Sequence, residues 1–252
     1  MTWEDLQPHL EDLARRVIYI FIGWIPVFFV AWYFWKDIYF WMATPLLKAL
    51  EEVGISNGDK LIFTHVTEAF SVSVKVGLFV AIVFTFPNTL YQIWKFVAPA
   101  LKPEEKELVH KMAFPFLFWG TLLFLIGAAF AYYVVFPLSF KVLLTWGGID
   151  TEALPKMNEY LSFFLKTVIA FGLAFNLPVY VYYLAKLDLL NGDSLREKWR
   201  HAVVIIFIIA AIFTPPDIFS QFLLAIPLLI LFWISILIAD RVAPSGRKYK
   251  GE

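Results

Sequence analysis

The sequence contains no cysteine, which excludes disulfides, thiolate metal sites and cysteine nucleophiles. It has no GxxxxGK[ST] phosphate loop, no HExxH pair and no serine in a nucleophile elbow. The four histidines, His9, His65, His110 and His201, are scattered through loops or span ends. An ATP-driven pump and a metalloprotease are therefore disfavoured, and no nucleophile, acid pair or metal set stands at depth to suggest an intramembrane enzyme. No metal, cofactor or nucleic-acid partner is expected. Charge is scarce as well, at 17% of residues and a formal net of zero, while 60% are hydrophobic and 19% aromatic, with a mean hydropathy of +0.71. A chain of that composition, carrying uncharged runs long enough to cross a bilayer, is an integral membrane protein.

Uncharged runs fall at Val17 to Trp35, Val76 to Trp94, Met112 to Phe136, Thr167 to Ala185, Ala202 to Pro216 and Ile218 to Ala239. A helix rising about 1.5 Å per residue needs about 20 residues to cross a hydrocarbon core. The fifth run has only the apolar stretch Ala202 to Phe213 before Thr214, so it crosses fully only where the bilayer thins; a re-entrant hairpin is the alternative. Backbone in lipid must satisfy its own hydrogen bonds, so the expected fold is an all-α membrane bundle of six spans. Its fifth and sixth spans are expected to be short, giving an uneven wall with a concave face. The start, "MTWEDLQPHLEDLARRV", is acidic where a cleavable signal is basic, so the first span is expected to be retained.

With six spans, the N-terminus, the 95–111 and 186–200 loops and the C-terminus share one side and hold 14 of the 21 lysines and arginines. The positive-inside rule then puts both termini in the cytoplasm. On the other side, "ATPLLKALEEVG" reads as a short helix beginning at Pro45 and stopped by Gly54.

The second and fourth spans share a pattern. Glu68, Ser71, Lys75, Pro87, Tyr91 and Lys95 recur 91 residues later as Glu159, Ser162, Lys166, Pro178, Tyr182 and Lys186. A duplicated hairpin produces such an offset. So does the shared grammar of two inward-running spans, namely acidic cap, proline kink, interfacial tyrosine and cytoplasmic lysine, and this reading is preferred. Lys75 and Lys166 each follow a glutamate by seven positions, two turns along one helix face. Each can snorkel to the outer interface as a structural polar group; the functional rival is a polar pocket opening outward, as in a secondary transporter.

Two acidic groups stand on the basic side: Glu11 and Asp12 in an amphipathic N-terminal segment, and Glu104, Glu105 and Glu107 in "KPEEKE". Such acids can clamp a cationic ligand, since guanidinium pairs bidentately with carboxylate. Equally, Glu104 and Glu105 can simply complement the dipole of a helix that starts after Pro103. In "IFTPPDIFSQFLLAIP", Asp217 follows two prolines where it can cap the next helix. Gln221 lies a turn further on, where capping no longer needs it.

Four separated segments, "HLEDLARRV", "FPNTLYQIWKFVAPALKPEE", "AFAYYVVFPLSF" and "TPPDIFSQFLLAIPLLILF", resemble in order the TatC component of the twin-arginine protein translocase, over nearly the whole chain. The resemblance implies a signal-peptide receptor and scaffold in the cell inner (cytoplasmic) membrane. Its role is to export folded proteins across that membrane with the proton-motive force. The implied partners are twin-arginine signal peptides, single-span TatA- and TatB-type proteins, other TatC copies and membrane lipid. Residues 1–240 are then one six-span domain opened by a cytoplasmic helix, and 241–252 a cytoplasmic tail. Carried over by position, the signal-recognition acids fall on Glu105 and Asp12, with Glu11 and Glu104 beside them, and the accompanying aromatic falls on Phe96. Thr214 and Gln221 fall where partner helices make contact, while Asp217, Pro45, Pro87, Lys75 and Lys166 are read as structural. Ala14 stands where the family often has arginine, and Asn176 where many relatives carry glutamate or glutamine; an amide does not titrate.

Overall fold

The described residues of a computed structural model, 3–52, 62, 67–97, 106–146, 156–187, 189–213 and 218–242, form eleven α-helices. They are α1 (Trp3–Tyr33), α2 (Trp35–Glu52), α3 (Glu68–Phe84), α4 (Phe86–Val97), α5 (Lys106–Phe130) and α6 (Phe136–Trp146). After these come α7 (Met157–Phe175), α8 (Leu177–Lys186), α9 (Gly192–Glu197), α10 (Trp199–Phe213) and α11 (Ile218–Val242).

Among the described residues, four helical stretches are long and apolar enough to cross a membrane: Leu10–Tyr33, Lys111–Leu144, Met157–Lys186 and Gln221–Val242. The pair α3 and α4 passes the same test with a 57° bend at its break, and Trp199–Ile212 is a shorter apolar helix. This all-helical membrane fold is consistent with six spans. Of the last two spans, both expected to be short, only α10 is, with 15 residues; α11 has 25, and its Gln221–Val242 stretch is of full spanning length.

The breaks have local causes. Pro87 is the second residue of α4 and Pro178 the second of α8; each proline suits a first helical turn and cannot continue the preceding helix. The residues at the breaks, Thr85 and Asn176, are themselves 91 apart. The helices that follow end alike: the Lys95 ammonium lies 4.5 Å from the Tyr91 ring and the Lys186 ammonium 5.6 Å from the Tyr182 ring. Ahead of Pro137, residues Ala131–Val135 form a π-helical turn, in which the Phe136 N–H reaches back five residues to the Ala131 carbonyl. A proline ring crowds the carbonyl four residues before it, and widening the turn relieves that contact.

One sequence expectation needs correcting. Pro45 does not begin a short helix but lies inside α2, which starts ten residues earlier at Trp35 with Asp37 in its first turn. The chain turns only at Phe34, and the Ile38 N–H already reaches the Phe34 carbonyl, so the helix is established before the proline arrives. Gly54, its expected stop, lies outside the described residues.

The chain forms two units. The first comprises residues 1–47, 56–122 and 154–165. Here α1 packs along α3 and α4. A β-carbon on Gly77 would come within 2.9 Å of the Phe28 ring, and one on Gly23 within 2.9 Å of the Asn88 amide; glycine is what lets these helices approach so closely. The start of α7 is held by Phe79 against Phe164, by the Tyr160 hydroxyl donating to the Met42 carbonyl, and by the Met157 N–H donating to the Ile62 carbonyl.

The second unit comprises residues 48–55, 123–153 and 166–252. Its core is α11 against α8, α10, α9 and α6. Gly127 seats against the Phe171 backbone and Gly172 against the Phe124 ring; an added β-carbon would fall 2.5 Å from either.

Candidate functional site

The sequence readings converge on three places, and the geometry differs at each. On α1, Asp12 and Arg16 are one turn apart, and the Arg16 Nε lies 3.2 Å from the Asp12 carboxylate. The contact is an ion pair rather than an aligned hydrogen bond, for Arg16 Nε has no hydrogen-bond partner. A carboxylate so placed already has a local cation, and an incoming guanidinium must share or displace it. Glu11 is exposed and accepts a hydrogen bond from the Gln7 side chain at 3.3 Å. Phe96 is half-buried in the last turn of α4, a helix that packs on α1. Next to it, Trp94 is buried with its ring 4.7 Å from that of Phe116. Glu104 and Glu105 lie outside the described residues.

At the second place, Gln221 is half-buried near the start of α11, and its side-chain amide donates to the Phe207 carbonyl on α10 at 3.1 Å. Phe207 and Phe222 meet edge to face at 5.1 Å beside this bond. The amide thus ties the two helices of the hairpin to each other, and among the described residues its second N–H and its carbonyl have no partner. Thr214 and Asp217 lie outside the described residues.

The third place is polar and was only partly visible in the sequence. The Lys75 ammonium donates to the Asn158 side-chain oxygen at 2.6 Å and to the Ser162 hydroxyl at 2.9 Å. Ser162 in turn donates to the Asn158 carbonyl at 2.7 Å, and the Asn158 N–H donates to the Glu68 carboxylate at 3.0 Å. Glu68 is only 7% exposed. Two side chains seven residues apart on α3 therefore clasp the first turn of α7. The geometry follows from helix periodicity, because residues seven apart share a face on α3 and residues four apart share one on α7. Burial and the Glu68 charge hold the nearby Tyr39 hydroxyl protonated well above the usual tyrosine range. Asn158 was not singled out in the sequence; its position in the opening turn of α7 is the signal that could have found it.

Lys166, the counterpart of Lys75 in the 91-residue pattern, is exposed and has no polar partner among the described residues. A transporter pocket built around both lysines has no support, since one is bonded into a helix contact and the other is open. Asn176 is fully buried at the break between α7 and α8, where its side-chain amide donates to the Gly172 carbonyl at 2.9 Å and its oxygen has no partner.

Comparison with known proteins bears on what these places serve. The family model for Sec-independent protein translocase protein (TatC) matches residues 8–227. A TatC of Helicobacter pylori strain 26695 is 41% identical over 246 residues, spanning 97% of this chain and 91% of that protein. The TatC of Escherichia coli K12 is 37% identical over 250 residues, spanning 98% and 93%. A crystal structure described as the twin arginine translocase receptor TatC superposes with a TM-score of 0.79 at 37% identity, covering 92% of this chain and 97% of that one. With so much of its length matched in both sequence and fold, this chain belongs to the TatC family and is a multi-pass membrane component of the twin-arginine translocase.

Proposed function

We propose that the chain is the signal-peptide receptor and scaffold of its translocase, exporting folded proteins across the cytoplasmic membrane with both termini on the cytoplasmic side. The observation that carries this reading is the match over residues 8–227 to a family with a solved structure described as a receptor. The excess of lysine and arginine on the side of the termini supports the orientation. Asp12 and Glu105, flanked by Glu11 and Glu104, accept the paired arginines of the signal, and Phe96 lies against the apolar residues that follow them. Charge-assisted bonds of this kind are short and strong, and where partly exposed they weaken with salt. Thr214 and Gln221 meet the membrane helices of TatA- and TatB-type proteins, and further copies of the chain complete the complex. Residues 1–240 act as one membrane domain and 241–252 as its cytoplasmic tail. The part played is binding and organisation, with the proton-motive force as the energy source.

The test is export and binding of a folded reporter whose signal carries paired arginines or paired lysines. The lysine signal should bind and export poorly, because an ammonium cannot reproduce the planar two-point contact of guanidinium with carboxylate. Equal export of both signals would overturn the receptor reading.

A further inference from the structure

The corner where α9 passes into α10 takes no part in the sites above. Asn191 caps α9 through a reciprocal bond with Ser194, and Gly192 lies against Asp240 of α11. Arg196 pairs with both Asp193 and Asp240, so its charge is already matched within the corner. The following residues differ. Lys198, Trp199, Arg200 and His201 are all exposed, Trp199 to 43%. The Arg200 guanidinium lies 5.8 Å from the Trp199 ring centre. Neither Lys198 nor Arg200 has an ion pair among the described residues. Glu197 is the one acid in this turn, so the stretch from 197 to 201 remains net positive.

The backbone carrying these side chains is held at the turn. Only Lys198 separates the two helices, and its carbonyl accepts the Ala202 N–H at 3.0 Å. Their depth is fixed by the helix they open. α10 has 15 residues, which at about 1.5 Å each falls well short of a hydrocarbon core of about 30 Å. A crossing this short draws headgroups toward its ends, and the turn at Trp199 is one of them. An open indole beside a guanidinium suits that interfacial level, and long cationic side chains spread around the helix end can reach phosphates there. A cationic signal segment is repelled from the same turn.

We propose that this corner binds anionic phospholipid, with Arg200 and Lys198 holding headgroup phosphates and Trp199 lying along the glycerol and upper acyl region. Arginine engages phosphate through two parallel donors, lysine as a point charge. Headgroups gathered here would anchor the short α10 span where the bilayer has to thin.

Native mass spectrometry of the full chain in mild detergent tests this, with phosphatidylglycerol and phosphatidylcholine of identical acyl chains as probes. An exposed basic side chain contributes up to about fivefold to pairing with an anion. The double variant Lys198→Gln with Arg200→Gln should therefore bind phosphatidylglycerol up to about 25-fold more weakly and lose its preference over phosphatidylcholine. Its thermal midpoint should hold, because both side chains are exposed. Lys48→Gln with Lys166→Gln removes the same charge elsewhere and should leave lipid binding unchanged, and inorganic phosphate at millimolar concentration should not displace the lipid. Parental affinity in the double variant, an equal loss in the control pair, or displacement by inorganic phosphate would each overturn the proposal. So would weakened co-purification of single-span partners with unchanged lipid affinity, which would assign the corner to protein docking.

Discussion

Replacing Lys75 with methionine removes the ammonium that joins α3 to α7 while keeping an unbranched stem of similar length. Two bonds disappear, those to the Asn158 side-chain oxygen at 2.6 Å and the Ser162 hydroxyl at 2.9 Å. Hydrogen bonds to charged groups contribute about 1.5–3 kcal/mol each. Lys75 is only half-buried, however, so water replaces part of what is lost, and a net destabilisation of about 2 kcal/mol is expected. For a chain of this size that lowers the apparent thermal midpoint by about 4–8 °C. The ten tryptophans allow unfolding in detergent to be followed by intrinsic fluorescence at one fixed heating rate, since membrane proteins need not unfold reversibly. Asn158→Leu removes the principal acceptor while its backbone N–H can still reach Glu68. If the two side chains act as one unit, the double variant should fall short of the summed single effects by about 1 kcal/mol or more. Lys166→Met, at the open counterpart position, should move the midpoint by less than about 2 °C. Additive effects of Lys75→Met and Asn158→Leu, or an equal shift from Lys166→Met, would refute the reasoning.

Three further outcomes are expected. Gly192→Ala places a β-carbon 1.8 Å from an Asp240 carboxylate oxygen but 3.4 Å from the Asp240 backbone N. It should therefore destabilise by about 1–3 kcal/mol, and Asp240→Ala added to it should recover part of the thermal midpoint. Glu105→Gln should weaken binding of a twin-arginine peptide more than Glu104→Gln or Glu107→Gln, and salt should weaken binding to the parent, as read by fluorescence anisotropy at two ionic strengths. Thr214→Leu with Gln221→Leu should reduce crosslinking to a TatA- or TatB-type helix while signal-peptide binding persists; unchanged crosslinking would leave Gln221 solely as a brace between α10 and α11.

Sequence alone was enough for the membrane character, the helical class and the family, because each is written in local terms. Uncharged run lengths and prolines placed two residues past a break both act within a few turns of chain. The Tyr91–Lys95 and Tyr182–Lys186 contacts are of this kind, as is the Asp12–Arg16 pair, since residues four apart on a helix are neighbours whatever the rest of the chain does. Pro45 misled because proline suits a helix start so well that its presence inside an established helix leaves no local mark. What only the tertiary structure decided is which faces meet. Lys75 finds Asn158 across 83 residues, Arg196 finds Asp240 across 44, and Gln221 gives its amide to a carbonyl on the preceding helix. Helix periodicity fixes which residues of one segment share a face, but the partner of that face depends on how distant segments pack, and no local spacing carries that information.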